Sequence, residues 1–219
     1  NKDDSRQMMR FFDKDLGVKL PERSYAENCE ITPTNVKNGI DIFVLAHSLG
    51  WFGKSLILRD HLICWILSIS FELMEYSLQH QLPNFAECWW DHWILDVFTC
   101  NWLGIYAGMK FCEYFKMKTY AWDGLRQIPS VRGKIKRAGA QFTPHSWTVF
   151  EWAPTKRFKN FFGFVMLVVL VTTAELNVFY LKYLLWIPPE HMLVTARLIL
   201  FFLFALPACR EYYEYYSNP

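Results

Sequence analysis

Eight polar side chains sit where an apolar chain should be plainest. His47 interrupts DIFVLAHSLGWFGK, Glu72 and Glu75 interrupt ILSISFELMEYSL, and QLPNFAECWWDHWILD carries Asn84, Glu87, Asp91 and Asp96 shortly before Asn101. A charge inside an apolar helix costs roughly 2.5–3.5 kcal/mol on insertion scales, so it faces a partner or a cavity. Glu72 and Glu75 lie at i, i+3 and share one helix face, where two ionised carboxylates need a cation or a held proton. Five carboxylates and two amides fall between Glu72 and Asn101. Such oxygen donors, without Cys or a His pair, favour Ca2+ or Mg2+ over zinc or copper. His47 is the side chain type that moves protons near neutral pH. The plainer alternatives are a packing histidine and polar groups that tie helices together.

These groups work together only if helices bring them together. Pro83 suits a first helical turn, which predicts a helix from near Asn84. On it Asn84, Glu87 and Asp91 stand at i, i+3 and i+7, along one face. Asp96 comes five residues after Asp91, about 140° around an ideal helix. It joins them only if the helix is distorted or another side of it lines the cavity. Glu175 and Asn177 add an acid and an amide to the most apolar run. They either bond between helices or line the same site.

The apolar residues are gathered in five blocks, at 40–58, 61–79, 92–112, 161–186 and 192–209. The fourth easily meets the length of about 20 residues that a bilayer requires. The expected fold is therefore all-α, a polytopic membrane protein with about five transmembrane helices. Residues 1–38 are expected to be a polar peripheral segment. Membrane helices over 39–113 carry the polar site, a basic loop covers 114–160, and further membrane helices cover 161–215. Ten Trp suit helices that meet lipid headgroups at both faces. A net charge of +2 gives no support for a nucleic-acid partner.

Between Lys116 and Lys159 ten Lys or Arg face only Asp123 and Glu151, and Phe142 and Trp147 are interleaved with them. The pattern fits a solvated loop on the positive side of a membrane, or contact with lipid phosphates. Six Cys form no CxxC pair and no zinc spacing, and they leave the redox compartment open. The chain shows no initiator Met and no signal-peptide pattern, which suggests an internal piece of a longer protein.

The stretches YAENCEIT, His47 followed by LGW, FELMEYSLQHQLPNFAECWWDHWILD, GKIKRAGAQFTPHSW and AELNVFYLK resemble eukaryotic phosphatidylserine synthases of the base-exchange type. The resemblance runs from about Tyr25 to Tyr213, and EYSLQHQLPNFAECWWDHW and WIPPEHMLV place it closer to type 2. It implies exchange of a phospholipid head group for L-serine in the endoplasmic reticulum membrane, with Ca2+ and without ATP. The lipid consumed would be phosphatidylethanolamine, or phosphatidylcholine. Self-association is left open.

The same resemblance implies His47 as the catalytic base. Glu72, Glu75, Glu87, Asp91 and Asp96 would be metal ligands or groups that orient serine, with Asn84 and Asn101 as substrate-binding residues. One departure stands out: the family usually places Gly after Asn101, and here the residue is Trp102. The sequence holds no GxSxG elbow, no phosphate-cradling Gly loop and no DG…AR…G…D…D array like that of the CDP-alcohol phosphotransferases. Two rivals from other classes are a cation transporter or channel with an acid-lined path, and a noncatalytic membrane scaffold.

Overall fold

The structure is a computed structural model that describes residues 1–20, 26, 28–40, 42–114, 126–140 and 150–217. Tyr25, Lys116, Lys118, Asp123, Phe142 and Trp147, named above, lie outside the described residues. The described residues are helical with no strand among them. In chain order the α-helices are α1 (Lys2–Phe12), α2 (Pro33–Gly39), α3 (Ile42–Leu58), α4 (His61–Leu78), α5 (Trp102–Tyr114), α6 (Val131–Ala140), α7 (Phe158–Leu185) and α8 (Met192–Ser217). A 3-10 turn (Pro83–Phe85) and a π-helix (Asp91–Asn101) lie between α4 and α5, and the π-helix runs straight into α5.

Local chemistry explains several starts. Asp60 caps α4 by accepting from the Ile63 amide at 3.0 Å, which satisfies a donor that the first helical turn leaves free. Thr32 caps α2 in the same way, with Pro33 in the first turn. The helix expected from Asn84 is not formed. Pro83 opens only a three-residue turn, because tertiary contacts take over at once. Phe85 is buried between the rings of Phe71 and Phe179, and Cys88 is joined to Cys29 by a disulfide.

α3 is the centre of the bundle and packs on α4, α5, α8 and the π-helix. Its closest partner is α5, which presents Gly104 and Gly108 four residues apart, a spacing that lets two backbones approach closely. A Cβ at Gly104 would stand 2.4 Å from the Ser48 carbonyl oxygen, and one at Gly108 would stand 2.9 Å from that of Phe52. The core behind this seam holds Trp51, Leu67, Ile105, Met109, Trp152 and Phe164.

Two helices, α7 at 28 residues and α8 at 26, are long and apolar enough to cross a membrane. Their outer faces leave Phe162, Leu170, Leu198 and Phe204 more than half exposed. Shorter elements share this inverted surface: Leu45 on α3, Leu73 on α4 and Phe98 on the π-helix also point outward. The segment expected to be merely polar forms α1, which is tied to the far end of α7. Arg6 donates to the Leu184 carbonyl at 2.8 Å and lies 3.5 Å from the Trp186 ring. Asp13 contacts His191 at 3.1 Å. The Asp15 backbone N–H, and then His191, hold Asp13 below its ordinary carboxylate range.

The glycine seam is testable by size alone. Gly104→Val should strongly lower thermal stability of the detergent-solubilised protein, because its clash is with backbone that cannot move aside. Gly50→Ala has nothing within 4 Å and should cost no more than the roughly 1 kcal/mol typical of a surface change. Equal stability of both variants would contradict close α3–α5 packing.

Candidate functional site

The site lies where α3, α4 and the π-helix meet. His47 projects from α3, Glu72 and Glu75 from α4, Glu87 from the connecting loop, and Asp91, His92, Asp96 and Asn101 from the π-helix. Three overlapping triplets hold ligand-type atoms within 4.8 Å of one another: His47–Glu72–Asp96, Glu72–Glu75–His92 and Glu87–His92–Asp96. Asp91 is in none of these triplets and opens the π-helix beside them. The Asn84 side chain lies outside the described residues.

The π-helix does the work that an α-helix could not. Its hydrogen bonds span five residues instead of four, so each turn holds more residues and Asp96 lies nearer the Asp91 direction than the 140° of an ideal α-helix. This is the distortion that admits Asp96. Thr99 adds a side-chain bond to the Ile94 carbonyl, five residues back, at 2.7 Å. Outward positions take apolar residues, Ile94, Phe98 and Trp102. Trp102 stacks on Tyr106 with centroids 5.7 Å apart, so its ring stays outside the site while Asn101 is fully buried inside.

Asn101 connects the π-helix to both neighbouring helices. Its Nδ2 donates to Ser68 Oγ on α4 at 2.7 Å, and its Oδ1 lies 2.6 Å from His47 Nε2 on α3. Trp51 also brings its indole N–H to that nitrogen, at 3.2 Å. One tautomer cannot satisfy both contacts. A nitrogen and an oxygen at 2.6 Å must share a hydrogen, and the amide N–H groups face Ser68. The tautomer that matches the amide carries its proton on Nε2 and donates to Asn101, leaving the indole N–H without that acceptor. Nδ1 is left with its lone pair, 3.9 Å from Asp96 Oδ1.

Glu72 is almost completely buried and lies 3.1 Å from His92 Nδ1. Glu75 lies 3.8 Å from the same nitrogen. The expected shared face of the two acids is therefore realised, with a histidine that the spacing argument passed over. His92 follows Asp91 directly, so α-helical geometry separates it from the Asn84–Glu87–Asp91 face; its presence in the same polar stretch was the available signal. Lys54 and Ser68 were also missed. Lys54 pairs with Glu175 at 2.8 Å and lies 3.9 Å from the Trp51 ring, so Glu175 bonds between α7 and α3. Asn177 is exposed.

Two membrane-length helices beside a buried histidine–carboxylate cluster, with no strand among the described residues, are the features that a polar site within a membrane would need. Residues 1–219 match the family described as phosphatidyl serine synthase. The chain belongs to that family. It is 50% identical over 224 residues to phosphatidylserine synthase 2 of Danio rerio, covering 99% of this chain and 50% of the relative. It is 49% identical to phosphatidylserine synthase 2 of Homo sapiens, covering 99% of this chain and 46% of the relative. It is also 50% identical over 227 residues to "CDP-diacylglycerol--serine O-phosphatidyltransferase 2" of Oryza sativa subsp. japonica, covering 100% and 54%. The chain thus spans about half the length of the curated relatives it matches.

The loop that carries Glu87 is fastened by the Cys29–Cys88 disulfide, with Cα atoms 5.2 Å apart, while Cys64, Cys100, Cys112 and Cys209 are free and buried. Digestion without reductant should yield a linked peptide joining Cys29 to Cys88, which separates on reduction. Recovery of Cys29 as an alkylated free thiol from native protein would contradict the pairing.

Proposed function

We propose that the protein is a phosphatidylserine synthase of the base-exchange type, which replaces a phospholipid head group with L-serine. The observation that carries this reading is the His47 arrangement, a histidine bonded to buried Asn101 and facing Asp96 at the centre of a family-matched helical bundle. His47 Nδ1 takes the serine hydroxyl proton as the serine oxygen bonds to phosphorus. The bond from phosphorus to the ethanolamine oxygen breaks, and the proton passes to that oxygen. One diester replaces another, so no ATP is needed. Asn101, with both amide atoms engaged by protein, holds His47 in register instead of touching serine.

Ca2+ fits the donors present: four carboxylates, Glu72, Glu75, Glu87 and Asp96, converge here, and a buried ring nitrogen of His92 lacks a protein partner. Glu72, Glu75, Glu87, Asp91 and Asp96 are the residues we assign to hold it or to orient the serine ammonium. A bound Ca2+ supplies charge that offsets the phosphodiester anion. Asn84 remains a proposed substrate-binding residue through the family resemblance.

The placement is a multi-pass protein of the endoplasmic reticulum membrane with about five spans. The outward apolar residues on α3, α4 and the π-helix support the three shorter spans. Orientation follows from two independent features. The disulfide sits at the end where the loop after α4 lies, and disulfides persist in oxidising compartments. The basic helix α6 joins the opposite end through Arg137 and Glu211, 3.4 Å apart, as expected for the cytosolic side. On this reading the end of the site beside the Cys29–Cys88 link is lumenal.

The type-2 resemblance favours phosphatidylethanolamine as donor. A second reading uses CDP-diacylglycerol, favoured by the name of the rice relative at equal identity. The donor test separates them. Full-length protein in vesicles with both lipids and labelled serine should release one ethanolamine per phosphatidylserine formed, and Ca2+ chelation should stop it. Release of CMP in place of ethanolamine would install the second reading. Cation flux without serine transfer would favour a channel.

His47→Ala should lower exchange by about 10²–10⁴-fold, the usual range for a lost general base, while the protein still folds and inserts into membranes. Retention of most of the rate would return His47 to a packing role. Glu72→Gln should abolish Ca2+-dependent turnover while the protein stays assembled. Loss of assembly with normal specific activity in the folded fraction would instead support a scaffold.

A further inference from the structure

His92 has one ring nitrogen accounted for and one that is not. Its side chain is 1% exposed. Nδ1 faces Glu72 Oε2 at 3.1 Å and Glu75 Oε2 at 3.8 Å. Between two carboxylates Nδ1 carries the proton and donates to Glu72. A neutral imidazole has one donor and one acceptor, so Nε2 presents a bare lone pair. That nitrogen is fully buried and has no hydrogen-bond partner. Leaving such a buried acceptor unmatched is unfavourable.

The surroundings say what would match it. One ring nitrogen of His92 lies within 4.8 Å of carboxylate oxygens from Glu87 and Asp96. Those neighbours are acceptors when ionised and have no proton to offer. What a lone pair and two carboxylates accept in common is a cation. The ring is held in place for this by its bond to Glu72 and by the edge-on Tyr76 ring, with centroids 5.8 Å apart. A histidine whose second nitrogen is anchored by a carboxylate is the usual arrangement of a metal-binding imidazole.

We propose that His92 Nε2 is a direct ligand of the divalent cation at this site, which makes the donor set mixed nitrogen and oxygen instead of oxygen alone. The proposal rests on the divalent-cation reading given above. Imidazole favours transition metals over Ca2+, so Mn2+ should bind at the Ca2+ site with the higher affinity.

The test uses Mn2+ as the probe, with full-length protein in detergent and electron paramagnetic resonance as the readout. His92→Asn keeps an amide close to the Nδ1 position and places nothing at Nε2. His92→Gln reaches the Nε2 position with an amide oxygen. Native protein should bind Mn2+ that Ca2+ displaces, with 14N coupling in the pulsed spectrum. His92→Gln should lose the 14N coupling and keep Mn2+ affinity within a few-fold. His92→Asn should lose the coupling and about 10–100-fold in affinity, the scale seen when a metal site loses such a partner. Ca2+-displaceable Mn2+ without 14N coupling in native protein would overturn the His92 assignment alone. Coupling that survives in both variants would overturn it too and would assign the nitrogen to His47. Absence of Ca2+-displaceable Mn2+ would overturn the cation reading itself. Thermal unfolding of each variant shows that the comparison is among folded proteins.

Discussion

The arrangement depends on the winding of residues 91–101. A π-helix is rare and is adopted here over eleven residues. The reason lies in which side chains must find partners. Asn101 bonds to His47 and Ser68, and Asp96 faces His47. In an α-helix Asp96 would turn about 140° from the Asp91 line, away from the place it takes beside His47. A carboxylate stranded among apolar surroundings costs several kcal/mol. That exceeds what a few loosely wound turns give up, so partner matching sets the helix type.

The wide helix needs a rigid opposing surface, and α3 provides it. The π-helix passes into α5 without a break, and α5 is pressed on α3 through Gly104 and Gly108. His47 directly precedes Ser48 in the Ser48–Ser55 stretch that these glycines contact, so close packing fixes its height against Asn101. The disulfide fastens the other approach to the site, where Glu87 enters from irregular backbone. Packing on one side and a covalent link on the other hold acids that would repel one another if ionised without a cation.

Much of this was legible before any coordinates. The i, i+3 spacing of Glu72 and Glu75 predicts their common face, and their shared approach to His92 matches it. The five apolar blocks correspond to helices, although only α7 and α8 have membrane length by themselves. What was hidden has physical causes. The start expected at Asn84 assumed that Pro83 opens a long helix, whereas Phe85 and Cys88 are held by distant residues. The Cys29–Cys88 link spans a sequence separation of 59, with no local signal. His92 was missed because α-helical periodicity was applied to a segment that does not obey it. Trp102, a departure from the family pattern, proves harmless because its ring points outward onto Tyr106.

The membrane reading and the site reading support each other. A soluble protein would not leave Leu198, Phe204 and Phe98 outside while burying Glu72, His92 and Asn101. Apolar residues outside and polar residues inside are what the proposed exchange between an amino acid from water and a lipid from the bilayer would require. The most direct measurement of the central claim is a side-chain-resolved cryo-electron microscopy map of the full-length protein in a lipid nanodisc with Ca2+. The account predicts five-residue hydrogen-bond spacing through 91–101, with Asp96 and Asn101 both beside His47. Regular α-helical winding with Asp96 turned toward lipid would contradict it.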